Sequence, residues 1–339
     1  MISKHKSAPI VLGTVLELRP LMQAYLEWVK MHKRLSESTC RSYARDLQLL
    51  VQCCQRLNIL VPESITAVQV RHMIMQLHGA GQGAKSIARY LSSWRSWFTW
   101  LVQNGHVPSN PVKTIRAPKT AKDLPKVLSV DDAVHLVGDR EALKNSQSAV
   151  QTLLLLRDYA LIELLYSSGL RVSELVGLDI APPAGGLNDG NGWVDLSEGN
   201  VHVLGKGNKP RIVPVGQAAL SAVQAWSAAR NASVVASKSK ALFIGRNGTR
   251  LTVRSVQLRL AQHAHHLGLP VHVHPHMLRH SFATHVLQSS GNLRAVQEML
   301  GHASLAATQV YTGLDFQHLA KIYDAAHPRA HKKNQKDQA

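Results

Sequence analysis

The sequence predicts a mainly α-helical protein of two domains, the second a mixed but mostly helical domain carrying a small antiparallel sheet. Three observations lead there. At 339 residues the chain is longer than one ordinary domain needs. Most of its patterned segments repeat apolar residues at the three- and four-residue spacing of a helix face. The strand signal is concentrated in VHVLGKGNKPRIVPV, residues 201–215, where two short β-branched runs flank a Gly-Lys-Gly-Asn turn.

Four helices are predicted in the first hundred residues, near 20–33, 37–57, 66–79 and 84–104. In the last, Ile87, Leu91, Trp94, Phe98 and Leu101 form one apolar stripe. Trp94, Trp97 and Trp100 have the look of a base-stacking set, but their spacing favours a buried core. Residues 104–126, NGHVPSNPVKTIRAPKTAKDLPK, interleave four prolines with basic residues and show no apolar period, the composition of an extended linker. The boundaries follow: a helical domain over 1–107, a basic linker over 108–127, and a second domain over 128–339. Ser129 and Asp132 frame a helix start, and a longer helix at 148–167 ends at Gly169. After the hairpin, helices are expected near 252–267, 276–289, 292–300 and 304–311, with Gly291 and Gly301 as carboxyl caps.

Composition narrows the function. Lys and Arg total 39 against 21 acids, a formal charge of +18, so the expected partner is a polyanion, either nucleic acid or an acidic membrane surface. The excess is steepest at the amino end, with 18 Lys/Arg and 6 Asp/Glu before residue 129. Cys40, Cys53 and Cys54 match no zinc spacing, and reduced thiols are the expectation. The apolar runs at 8–18 and 153–165 are both interrupted by charge, which argues against a signal peptide or a membrane span and for a cytoplasmic protein.

The stretch VHVHPHMLRHSFATH, 271–285, holds five histidines. His276 and His280 stand at the i, i+4 spacing of a helical zinc pair. Against a metal site, no Glu follows in an HExxH arrangement, and no Asp, Glu or Cys lies between residues 199 and 297. A phosphate site uses the stretch differently. His276 and Arg279, three apart at a helix start, project to one side, and arginine's planar fork matches phosphate oxygens. Arg171 follows a glycine beside another helix start, and Lys206 sits at the tip of the hairpin without the surroundings of a Walker A lysine.

In identity and order, Arg171, Lys206, His276-Met-Leu-Arg279-His280, Leu300-Gly-His302 and Tyr311 resemble the signature of the tyrosine recombinases, the phage-integrase family. The resemblance spans nearly the whole chain. The amino-terminal part, with SESTCRSYARDL, is similar to that family's helical core-binding, SAM-like domain, and the end, TGLDFQHLAKIYDAAHPRA, to its XerC branch. It implies DNA strand transfer in which Tyr311 is the nucleophile and forms a 3′-phosphotyrosyl link. Arg171 and Arg279 would clamp the non-bridging oxygens, Lys206 would protonate the leaving 5′-oxygen, His276 would assist proton transfer at the tyrosine, and His302 would position the phosphate. A free phenol titrates near ~10, hence the need for that assistance.

The same resemblance implies no metal and no other cofactor. It implies duplex DNA as partner, a XerD-like recombinase completing a heterotetramer on a dif-like site, and an FtsK-like translocase in control. His280 is expected to pack rather than react, and His272, His274 and His285 to be surface or structural residues. Two departures from the family pattern stand out. APPAGGLNDGNG, residues 181–192, lengthens the connection before the hairpin, and Tyr311 is followed by Thr-Gly rather than Thr-His. Leu314, Phe316, Leu319, Ile322 and Tyr323 are suited either to docking on a neighbouring subunit or to packing at home. An integrase of a mobile element, a non-catalytic DNA-binding protein and a zinc hydrolase are the alternatives.

Overall fold

A computed structural model describes residues 18–33, 35, 37–118, 127–189, 191–205, 209–233, 239–301 and 313–330. The chain divides into two compact units, Met1–Asp123 and Leu124–Ala339.

The first unit is helical: α1 (Leu18–His32), α2 (Glu37–Arg56), α3 (Ala67–Gly79) and α4 (Ala84–Gln103). The stripe of α4 is its core. Ile87, Leu91, Trp94, Trp97, Phe98 and Leu101 are all buried and Trp100 is nearly so, so the tryptophans serve packing. One polar knot ties α2 to α4: the buried Asp46 carboxylate accepts from Arg89 and from Ser93 Oγ (2.7 Å), and its carbonyl accepts from Trp94 Nε1 (2.7 Å). Thr66 and Gln69 close a reciprocal cap on α3. The chain beyond α4 stays with this unit for some way. Val107, Val112 and Ile115 are buried in the same core, and Arg95 Nη2 donates to the Ile115 carbonyl (2.9 Å). The stretch read as linker from 108 onward therefore begins as packed chain, and residues 119–126 lie outside the described residues.

The second unit runs α5 (Val130–Gly138), α6 (Glu141–Lys144), α7 (Ala149–Ser168), α8 (Val172–Val176), β1 (Trp193–Asp195), β2 (Asn200–Leu204), β3 (Pro210–Pro214), α9 (Gln217–Asn231), α10 (Val253–His266), α11 (Pro275–Ser290), α12 (Leu293–Leu300) and α13 (Gly313–Ala326). Its sheet is antiparallel in the order β1-β2-β3, with Val201 facing Val213. The predicted hairpin is β2 and β3. The axis of the unit is α7, buried without a break from Tyr159 to Ser168, with α9 and α11 packed on it. Ser129 accepts from the Asp132 N–H at the start of α5 (3.0 Å), as its spacing predicts. Gly291 and Gly301 both end their helices in the left-handed conformation. The helix expected at 304–311 lies outside the described residues. Most of the side chains described in 181–187 are exposed, which makes the lengthened connection a surface feature.

Residues 319–330 pack at home. Leu319, Tyr323, Ala326 and Ala330 are buried in this unit's core and Ile322 lies against it, whereas the Leu314 and Phe316 side chains lie outside the description. Tyr323 Oη and Ser167 Oγ are 2.6 Å apart, the Gly216 N–H donates to that same serine (2.8 Å), and Arg329 pairs with the buried Glu163 (2.7 Å). His327 is enclosed among Tyr166, Phe282 and Tyr323. Burial holds its imidazole down to about 3, well below the ordinary histidine range. The unfolded chain takes up this proton near pH ~6.5 while the folded chain does not, so stability falls as pH drops below that value. From pH ~6.5 to ~5 the expected loss is about 2 kcal/mol, at ~1.4 kcal/mol per pH unit. Urea unfolding at the two pH values measures it, and His327→Asn should flatten the slope.

Among the described residues, no helix is long and apolar enough to cross a membrane.

Candidate active site

Two turns of chain and one strand bring three arginines together. The first turn closes α7. Gly169 takes φ 57°, and a Cβ there would stand 2.4 Å from the Phe282 ring, so both backbone and space require glycine. The reversal leaves the Gly169 carbonyl pointing at α11 and places Arg171 at the amino end of α8. There the Arg171 N–H donates to Glu174 Oε2 (2.7 Å) and its Nη1 to Oε1 (2.9 Å). Its side chain remains one-third exposed.

The second turn opens α11. His274 is the cap, its Nδ1 accepting from the Met277 N–H (3.2 Å), and Pro275 is the first helical residue, where its missing N–H costs nothing. His276 comes next and is exposed, and Arg279 follows one turn on, buried. The two ends of the Arg279 fork donate to the Gly169 and Leu300 carbonyls, so it is held without a carboxylate of its own. Burial, together with the charges of Arg171 and Arg211, brings its guanidinium down to about 10. It stays charged at neutral pH.

The strand is β3, and its arginine was not singled out from sequence. Arg211 is buried and grips Glu174 with both ends of its fork, Nη1 to Oε1 and Nη2 to Oε2, each 2.7 Å. Burial pushes the Glu174 carboxyl up, but the hydrogen bonds and charge of Arg211 and the hydrogen bonds of Arg171 outweigh it and leave it below the ordinary carboxylate range. A signal for both residues existed. Glu174 stands at the i+3 position from Arg171, and Arg211 is in phase with Val213 on the inward face of a strand.

The result is three guanidiniums around one carboxylate, two positive charges in excess, with one arginine partly open to solvent. Such an excess of positive charge suits an anion whose charge grows during reaction, as that of a phosphodiester does on attack. Arg171 and Arg279 are thus brought together, with His276 exposed three residues before Arg279. Lys206, His302 and Tyr311 lie outside the described residues. His280 is half-buried on α11. His285 is structural: its Nδ1 is 2.9 Å from Tyr166 Oη and its Nε2 3.0 Å from the Leu128 carbonyl. Among the described residues, no group of three or more His, Cys, Asp or Glu side chains is placed to hold a metal ion.

The phage integrase family model matches residues 140–318, and that of the phage integrase N-terminal SAM-like domain matches residues 22–105. A tyrosine recombinase XerC of Ralstonia pickettii (strain 12J) is 49% identical over 324 residues, which cover 93% of this chain and 95% of that protein. Another XerC, from Pseudomonas aeruginosa, is 44% identical over 321 residues, covering 94% and 98%. Among solved structures, XerH bound to its difH substrate shares the fold with a TM-score of 0.59 at 20% identity, covering 90% of this chain and 81% of that one. A lambda integrase dimer bound to a core site does so at 0.60 and 18%, covering 87% and 98%. The chain belongs to the phage integrase family and is a site-specific tyrosine recombinase, a DNA strand transferase.

Proposed function

We propose that the cluster of Arg171 and Arg279 receives the scissile phosphate of duplex DNA and that Tyr311 attacks it. The tyrosine oxygen bonds to phosphorus and the 5′-oxygen leaves with a proton from Lys206, giving a 3′-phosphotyrosyl link. His276 assists proton transfer at Tyr311, and His302 hydrogen-bonds the phosphate. The bond energy stays in the phosphotyrosine, so a 5′-hydroxyl from a partner strand reverses the step without ATP. The observation that carries this reading is the buried, carboxylate-free Arg279 beside the partly exposed Arg171. Two fixed positive charges stabilise a phosphorane as a metal ion would.

By likeness to the XerC relatives, the chain works in the cytoplasm with a XerD-like recombinase as a heterotetramer on a dif-like site, under an FtsK-like translocase, and resolves chromosome dimers at cell division. The excess of basic residues supplies affinity through phosphate contacts, which makes binding fall steeply with salt. The test is a labelled, nicked dif-like duplex incubated with the chain and a XerD-like partner in the presence of EDTA, then run on a denaturing gel. A covalent protein–DNA band is expected. Cleavage on mobile-element attachment sites alone would favour the integrase reading, and binding without a covalent band would make the chain a non-catalytic DNA-binding protein.

A further inference from the structure

Arg211 has no part in the chemistry above, yet it joins two helices that flank the cluster, α8 and α12. Its two terminal nitrogens are engaged by Glu174, and its Nε donates to the Met299 carbonyl (3.3 Å). With 3% of the side chain exposed and the fork closed on a carboxylate, it is not itself a ligand for phosphate.

Its contacts lead outward in three directions. Through Glu174 it reaches Arg171, because the same two carboxylate oxygens accept the Arg171 backbone N–H and guanidinium. Through Met299 it reaches the end of α12, where Gly301 turns at φ 64° so close that a Cβ would lie 3.0 Å from Arg211 Cδ. Residue 302 follows at once. Through its own strand it stands five residues after Lys206. Charge adds a second argument. Glu174 alone would largely cancel Arg171, whereas Arg211 offsets Glu174 and leaves the Arg171 charge free to act on a ligand.

We propose that Arg211 is a positioning residue for DNA cleavage, fixing Arg171 through Glu174 and the end of α12 through the Met299 carbonyl. The inference rests on the recombinase reading. Arginine is required because a lysine ammonium presents a point charge without a fork and cannot span both carboxylate oxygens in one plane.

The test is single-turnover cleavage of the nicked duplex by the full-length chain with its partner recombinase, together with DNA affinity and thermal stability. Arg211→Lys is expected to cleave roughly 10- to 100-fold more slowly, the scale seen when supporting residues of a site are lost, with affinity for the duplex within about twofold. Combined with Arg171→Gln, it should lose clearly less than the product of the two single losses, because the Glu174 arm acts through that one guanidinium. Arg211→Met takes from the buried Glu174 the partner that spans both its oxygens and destabilises the unit. The uncharged pair Arg211→Met/Glu174→Met keeps the test available, with the same slow cleavage expected from a folded protein. Cleavage by Arg211→Lys at the rate of the unchanged chain, or losses that multiply with Arg171→Gln, would overturn the proposal. An unchanged chain that forms no covalent band sinks the recombinase reading instead, and is told apart by that control.

Discussion

Tyr311→Phe is expected to abolish the covalent protein–DNA band while leaving duplex affinity within about twofold. The phenyl ring keeps the shape of the side chain and removes only the attacking oxygen, so binding and cleavage separate cleanly. The other six tyrosines of the chain support the choice. Tyr25 is enclosed, donates to Ser96 (2.8 Å) and is pushed up to about 12 by burial. Tyr166 and Tyr323 are buried in the second unit, and burial raises both above the ordinary phenol range. Tyr159 lies under the Arg140 guanidinium, Tyr90 donates to Gln82 and packs beside Trp94, and Tyr43 stacks on Tyr25. Each of these six has a packing role. Cleavage surviving in Tyr311→Phe would mean that one of them leaves its core to react, or that the nucleophile is not a tyrosine.

Arg279→Gln should slow cleavage by about 10²- to 10³-fold, the usual consequence of removing one fixed donor to a developing anion. Glutamine retains one donor for the Gly169 or Leu300 carbonyl but no charge, so the loss belongs mainly to the phosphorane. Binding should weaken much less than cleavage, because one phosphate contact among many contributes little to total affinity. Single-turnover rates at saturating protein separate the two. A variant that cleaves normally but binds poorly would reassign Arg279 to DNA affinity.

Much of this was legible in the sequence, and the reasons differ by element. The helices of the first unit declare themselves because each buries one stripe at helical spacing, and the α4 tryptophans fall on that stripe. Residues 108–115 escaped recognition because only Val112 and Ile115 reach the core, too few to set a period among prolines. α9 escaped for a related reason: its buried positions are Ala219, Val223, Trp226 and Arg230, a stripe that contains one small residue and one charge. β1 has only three residues and takes its shape from pairing with β2. Within the arginine cluster, the places of Arg171 and Arg279 beside helix starts were legible from their neighbours. Glu174 and Arg211 were not, because their importance lies in a pairing across 37 positions of sequence that only the fold creates. The histidine-rich stretch shows the same division. His274 caps a helix, His285 bridges a tyrosine and a carbonyl, and His276 is exposed one turn before a buried arginine.

In the proposed mechanism the arginine cluster presents a DNA phosphate to Tyr311. The most direct measurement isolates the covalent band formed on a nicked duplex, digests its protein and DNA, and identifies the joined peptide and nucleotide by mass spectrometry. The expected product is a peptide spanning Tyr311 with a 3′-linked nucleotide on the phenolic oxygen. Attachment through another residue, or through a 5′-phosphate, would mean a different nucleophile or the opposite polarity of cleavage.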